Sequence, residues 1–150
     1  MSTSIPSARR LSLIGRVPGF ASLPPEIIAD LAAQCGEEQF VAGARVLQEG
    51  ETADRLFIVE SGRAQVRSGA DAGEVVLADL EPGDLFGEIA LLSTDRRRKA
   101  SVLALEPLVT LSLGVAEFEA VLARHPEVRL DLVATADSLL TRKYLKLRGI

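Results

Sequence analysis

The chain has 150 residues and a mass of 16.0 kDa, which is the size of one domain, and its hydrophobic fraction of 47% is enough to form a core. The net charge of −4 and pI near 5.1 argue against a general nucleic-acid-binding protein, which would carry a basic face. A single cysteine excludes an internal disulfide, and with a single histidine it is too few ligands for a metal site of the usual nitrogen–sulfur type. Cys35 lies in an apolar helical segment, so we expect a buried, inert thiol and propose no catalytic Cys–His pair. No segment has the length of a signal peptide or a membrane span, so we expect a cytoplasmic protein.

The N-terminal part of the chain is expected to be flexible over residues 1–12, which are rich in Ser, Thr and Arg, with the folded domain covering residues 13–150. A helix is predicted to begin at Leu23-Pro24-Pro25-Glu26, because proline is tolerated in the first turn. Gly36 is expected to end this helix. Its apolar residues follow helical spacing at Ile27, Ile28, Leu31 and Ala32.

The middle of the chain changes to short apolar segments separated by turns that contain glycine or proline. The predicted strands are Gln39–Val41, Arg45–Gln48, Leu56–Glu60, Ala64–Arg67, Val75–Leu80, Ala100–Ala104 and Val109–Leu113. A short helix near Glu88–Leu92 interrupts them. Regular short strands with such turns are typical of a β-sandwich or barrel.

Two further helices are predicted at the C-terminal end, over Val115–Arg124 and from about Pro126 to Leu147. In the second helix, apolar side chains recur at three- and four-residue steps at Leu130, Val133, Leu140, Tyr144 and Leu147. This seam is too apolar to lie in water without a partner surface. We expect it to pack on the β-strand region or on a second copy of the chain, which would give a weak homodimer.

The most informative stretch is Phe86-Gly87-Glu88-Ile89-Ala90-Leu91-Leu92, followed by Arg98-Lys99-Ala100-Ser101-Val102. Backbone N–H groups at a helix start attract an anion, and the planar fork of an arginine suits phosphate oxygens. A carboxylate such as Glu88 accepts hydrogen bonds from sugar hydroxyls. Together these residues predict a ligand that carries both hydroxyl groups and a phosphate.

This stretch resembles the phosphate-binding cassette of cyclic nucleotide-binding domains, in which Phe-Gly-Glu and aliphatic residues precede Arg-x-Ala-Ser/Thr-Val. Every fixed position of that pattern is filled, and the segment from Asp54 to Gly62 resembles the early hairpin of the family. The resemblance covers roughly Leu13 to Leu147. It implies an α+β fold, in which an antiparallel β-roll of the eight-stranded, jelly-roll type is flanked by an N-terminal helix, a short cassette helix and C-terminal helices.

The resemblance also implies the roles of individual residues. Glu88 would accept the ribose 2′-hydroxyl, and Arg98, rather than its neighbours Arg96 and Arg97, would bind the cyclic phosphate. The implied ligand contacts are Phe86, Gly87, Glu88, Ile89, Ala90, Arg98, Lys99, Ala100, Ser101, Leu77 and Tyr144.

Several of these contacts have a second interpretation. Ser101 fits an ordinary strand residue as well as a contact to the phosphate or the purine. Leu77 and its neighbour Ala78 are expected to be core residues that also touch the ligand. Tyr144 fits either a packing residue of the last helix or a lid on the purine.

Lys99 departs from the family pattern, in which a small residue or threonine stands at this position. Threonine there tends to favour guanine, and alanine or serine tends to accompany adenine. The lysine stem can extend to solvent, or its charge can serve a second phosphate or a dinucleotide. We expect cAMP as the ligand, ahead of cGMP, with a cyclic dinucleotide left open, and we expect no cofactor.

The resemblance implies a cyclic-nucleotide sensor without catalytic activity, whose C-terminal helix passes the signal to an unknown partner protein or to a dimer mate. A second interpretation is a catabolite-activator-like transcription regulator without its DNA-reading domain. Such a domain would begin near Arg148-Gly149-Ile150, where the sequence ends, so we expect no direct DNA binding. A third is a docking module without a ligand, against which the charged pair Glu88 and Arg98 argues, since a buried unpaired charge is costly.

Overall fold

The structure is a computed structural model of the protein, and it describes residues 4–69 and 73–134. The helices in chain order are α1 (Ser7–Gly15), α2 (Pro25–Gln34), α3 (Glu88–Leu92) and α4 (Val115–Arg124), and residues 127–134 are also helical. The strands are β1 (Gly36–Phe40), β2 (Arg45–Leu47), β3 (Arg55–Ser61), β4 (Ala64–Ser68), β5 (Val75–Leu80), β6 (Leu85–Phe86), β7 (Ser101–Ala104) and β8 (Leu108–Gly114).

The strands form two four-stranded antiparallel sheets, in the orders β1-β8-β3-β6 and β2-β7-β4-β5. The chain passes repeatedly between the two sheets, and the connections from β3 to β4 and from β7 to β8 are two of these crossings. The two sheets and the flanking helices confirm the predicted α+β roll.

The buried apolar side chains form two clusters. One, the helical core, joins the helices to the first sheet and includes Phe20, Leu31, Leu111, Phe118 and Leu132. The other, the roll core, lies between the sheets and is formed by Leu47, Phe57, Leu77, Phe86, Val102 and their neighbours. Burial of these side chains removes apolar surface from water, which is the main favourable contribution to folding.

The sequence predicted the strands to within a few residues, with one exception. Strand β6 was missed, because two residues are too few to show the alternation of a strand. Gly36, which was expected to end the preceding helix, instead begins β1 by pairing with Ser112, and α2 ends at Gln34.

Helix α1 begins at Ser7, inside the segment that was expected to be flexible. The Arg10 side chain holds it to the rest of the domain. Its guanidinium donates to the carbonyl oxygens of Ala32 and Cys35, both at 2.8 Å, and to the Glu37 carboxylate at 2.9 Å. The first two bonds satisfy carbonyls at the C-terminal end of α2, which have no partner within that helix. Order in this segment therefore depends on contacts between residues distant in sequence.

We expect Arg10→Ala to lower the free energy of unfolding by about 2 kcal/mol, because it removes several charge-assisted hydrogen bonds at a half-buried site. Chemical denaturation measures this change. Arg124→Ala is the matched control, since Arg124 is exposed in the last turn of α4 and should change stability by about 0.5 kcal/mol at most. Equal effects of the two substitutions would show that the Arg10 contacts contribute nothing.

The helical segment 127–134 packs on the domain through Val128 and Leu132, which are fully buried. Leu130 of the predicted seam is 72% exposed and Val133 is 37% exposed, so neither is covered by the roll. The other seam residues, Leu140, Tyr144 and Leu147, lie outside the described residues. Within residues 4–69 and 73–134, no helix has the length and apolar character that a membrane crossing requires.

Candidate functional site

A cavity of about 430 Å³ lies where the roll core meets the helical core. The roll contributes an apolar wall of Leu47, Val66, Ala78, Leu80 and Val102. The predicted cassette contributes a second wall, which runs from Gly83 to Ala90 and continues at Arg98, Lys99 and Ala100. Its size and mixed lining are those of a small-molecule site.

Gly87 shapes the cassette at the point where β6 passes into α3. Its φ of +84° is a left-handed conformation that favours glycine, and it places Gly87 at the N-cap of α3. A Cβ here would lie 3.0 Å from Nη1 of Arg98, so the absence of a side chain also makes room for the arginine. The glycine therefore brings the start of α3 and Arg98 together.

Glu88 is the first residue of α3, and its side chain lines the cavity although the residue is only 3% exposed. Its Oε2 is buried and has no hydrogen-bond partner among the described residues. Burial raises the pKa of the Glu88 carboxyl to about 7, an effect that its own backbone N–H and the charge of Arg98 partly oppose. An unpartnered buried carboxylate oxygen is costly, so a ligand that donates a hydrogen bond to it would gain free energy.

Arg98 lines the same cavity and is 5% exposed. Its guanidinium donates from Nη1 to the Gly87 carbonyl at 2.8 Å and from Nη2 to the Arg55 carbonyl at 2.9 Å. Burial lowers the pKa of Arg98, and the charges of Asp54, Glu51 and Glu88 oppose that shift. An arginine has five N–H donors, so these two bonds leave donors that can bind an anion in the cavity.

Lys99 also lines the cavity, but its ammonium group pairs with Asp95 at 2.8 and 3.1 Å. This contact, together with hydrogen bonds from the Arg97 N–H and the Ser93 hydroxyl, lowers the pKa of Asp95 to about 2. The Lys99 ammonium is thus bound to a carboxylate of the loop between α3 and β7. This contact favours the interpretation of Lys99 as a surface residue over that of a phosphate ligand.

The structure brings together most of the residues that the sequence predicted for the site. Phe86, Gly87, Glu88, Ile89, Ala90, Arg98, Lys99 and Ala100 all line the cavity. Leu77 does not, since it is buried in the roll core, whereas the next residues of β5, Ala78, Asp79 and Leu80, do line the cavity. Ser101 is also buried away from the cavity, and its hydroxyl accepts a hydrogen bond from the Glu49 N–H at 2.9 Å.

The remaining predicted contact, Tyr144, lies outside the described residues. The sequence missed a third wall, which the helices contribute: Arg16 and Pro18 from the α1–α2 connection and Leu132 from the segment 127–134. No local pattern marks these residues as part of a site, because folding alone brings them to the cassette.

The comparisons with known proteins agree with this geometry. A family model described as the cyclic nucleotide-binding domain matches residues 37–125. The chain is 31% identical over 135 residues to the cyclic nucleotide-gated channel beta-3 of Canis lupus familiaris, covering 89% of this chain and 17% of the channel.

Solved structures are similar over most of the described fold. The N-terminal domain of a transcriptional regulator from Streptomyces coelicolor A3(2) matches with a TM-score of 0.66 and 31% identity, covering 91% of this chain and 90% of that domain. The regulatory domain of Toxoplasma gondii PKA, in a co-crystal structure with cAMP, matches with a TM-score of 0.72 and 27% identity, covering 76% of this chain and 43% of that one.

The chain spans less than a third of the length of the curated relatives it matches. The comparisons therefore describe the domain and not the whole of those proteins. Since the family model covers more than half of the chain and its span includes the entire cassette, the chain belongs to the cyclic nucleotide-binding domain family.

Proposed function

We propose that the cavity binds a cyclic nucleotide, with cAMP favoured, and that the domain acts as a sensor without catalytic activity. The observation that carries the proposal is the unpartnered Oε2 of Glu88, a residue that lines the same cavity as Arg98. A cyclic nucleotide supplies a ribose hydroxyl for the carboxylate and a phosphate for the guanidinium.

Titration calorimetry with cAMP, cGMP and cyclic di-GMP tests this proposal, and 2′-deoxy-cAMP is the matched control ligand. We expect cAMP to bind most tightly and the 2′-deoxy analogue to bind roughly tenfold more weakly, because it cannot donate a hydrogen bond to Glu88. Equal affinity for the two ligands would remove Glu88 from the ribose contact. No binding of any of the cyclic nucleotides would overturn the proposal.

The raised pKa of Glu88 predicts a pH-dependent affinity. Below pH 7 the carboxyl is largely protonated and must release its proton to accept from the ribose, so cAMP affinity should rise with pH by up to about tenfold per unit below the pKa. Stability without ligand should change in the opposite direction. Between pH 4.5 and about 7 the folded state binds more protons than the unfolded state, so the free energy of unfolding should fall as pH rises.

Glu88→Gln provides the control for both slopes, since all other titrating groups are common to the two proteins. Titration calorimetry and chemical denaturation from pH 5.5 to 8 should show that the variant loses both dependences. Identical pH profiles of wild type and variant would show that Glu88 does not titrate in this range.

The segment 127–134 is the proposed route from ligand to output. Leu132 lines the cavity, and Arg129 donates to the Leu92 carbonyl at the C-terminal end of α3 at 3.4 Å. A ligand that binds α3 therefore acts on a helix that also presents the exposed Leu130 and Val133 to a partner protein or a dimer mate. Hydrogen exchange over residues 126–147 with and without cAMP tests this proposal, and unchanged protection despite binding would contradict it.

A second candidate function is the sensory part of a catabolite-activator-like transcription regulator. The match to the Streptomyces coelicolor regulator domain, which covers 90% of that domain, favours it. Both candidates share the cyclic-nucleotide site, and they differ in what receives the signal. Electrophoretic mobility shift assays of the protein, with and without cAMP, distinguish them.

A further inference from the structure

The α1–α2 connection forms part of the ligand cavity, although it lies outside the cassette. Arg16 and Pro18 both line the cavity, and between them Val17 is fully buried in the helical core. Phe20, two residues after Pro18, is also buried and contacts Phe118 of α4 edge to face, with ring centroids 6.5 Å apart. Because buried residues anchor the connection, its backbone presents Arg16 at a fixed place on the cavity wall.

Arg16 differs from the other two cations of the cavity. The Arg98 guanidinium is bonded to two backbone carbonyls and the Lys99 ammonium is paired with Asp95. The exposed Arg16 side chain makes no hydrogen bond or ion pair with any residue in the described ranges 4–69 and 73–134. Its planar guanidinium is therefore available to a ligand.

The charges around the cavity indicate which part of a ligand Arg16 meets. Asp79 and Asp84 line the cavity in addition to Glu88, and neither aspartate forms an ion pair within the part of the chain that the structure describes. A second phosphate in this cavity would be repelled by these carboxylates. The part of the ligand that Arg98 does not bind should therefore be uncharged, and in a cyclic mononucleotide that part is the base.

We propose that Arg16 is a binding residue of this site and that its guanidinium lies against the face of the purine base. An arginine plane stacks on aromatic rings, with attraction from both its charge and its contact area. Pro18 and Leu132 supply apolar contact on the same helical wall. The inference rests on the proposed function, and it assigns base recognition to a residue of the N-terminal helices.

Titration calorimetry with cAMP on three variants tests the assignment. Arg16→Ala should weaken binding by about fivefold. Arg16→Lys should weaken it to a similar extent, since lysine keeps the charge and loses the plane. Arg97→Ala, which removes an equal charge from an exposed residue outside the cavity, should bind like wild type. Thermal unfolding of each variant verifies that the fold is intact.

The outcomes separate this inference from the proposed function. Equal affinities of wild type and Arg16→Ala would overturn the Arg16 contact while leaving the cyclic-nucleotide site in place. Full affinity of Arg16→Lys would overturn the stacking role, because a point charge would then suffice. Failure of the wild-type protein to bind cAMP would overturn the proposed function itself.

Discussion

Gly62→Ala should lower the free energy of unfolding by about 3 kcal/mol and the melting temperature by about 10 °C. Gly62 has a φ of +90° and lies in the turn where the chain crosses from β3 to β4. A Cβ at this position would overlap the Pro107 carbonyl oxygen, which lies in the connection from β7 to β8. Because the clashing atom belongs to the backbone, the methyl group fits only if the β3–β4 and β7–β8 connections move apart.

Gly43→Ala is the control for the cost of backbone conformation alone. Gly43 has a similar φ of +86°, but a Cβ there would have no atom within 4 Å. It should therefore cost only about 1–2 kcal/mol. Chemical denaturation of both variants measures the difference. Equal losses would show that the corner adapts to a methyl group and that the close approach carries no cost.

Arg98→Ala should weaken cAMP binding by at least about tenfold, because it would remove the proposed charge-assisted contact to the phosphate, worth about 1.5–3 kcal/mol. The substitution should also lower stability, since the carbonyls of Gly87 and Arg55 lose a buried donor. Titration calorimetry at a temperature well below the melting point of the variant separates the two effects.

Arg97→Ala provides the matched control for charge in the same loop. Arg97 is exposed, and its guanidinium donates to the Gly50 carbonyl at 3.0 Å, outside the cavity. Its removal should leave the affinity within about twofold of wild type. If Arg97→Ala and Arg98→Ala weaken binding equally, the assignment of Arg98 as the phosphate ligand is wrong.

Local patterns in the sequence predicted much of the fold. The alternation and turn residues around Val75–Leu80 and the short apolar turn at Glu88–Leu92 reappear as β5 and α3 with the same bounds. The cassette residues on either side of Arg98 could be predicted because their spacing is fixed by one turn, one helix and one strand start. Such features are encoded within a few consecutive residues.

Features that depend on distant residues could not be predicted in this way. Helix α1 is held by Arg10 contacts to residues more than twenty positions away, and Arg16 reaches the cavity only after the helices pack. The choice between Leu77 and Ala78 depends on the pairing of β4 with β5, whose register shifts at Leu77 so that this residue has no partner in β4. In the segment 127–134 the predicted seam at Leu130 and Val133 is exposed, and Val128 and Leu132 pack inward instead.

The two charged residues of the cassette, Glu88 and Arg98, differ in whether they stabilise the fold itself. Arg98 closes two backbone contacts without any ligand, so selection for a stable fold would retain it even in a copy that had ceased to bind nucleotides. Glu88 has a buried oxygen with no partner among the described residues, and this oxygen lowers the stability of the fold. Selection would retain Glu88 only where a ligand binds to it. Among diverged copies of this domain, the acid rather than the arginine should therefore mark the lineages that still respond to a cyclic nucleotide.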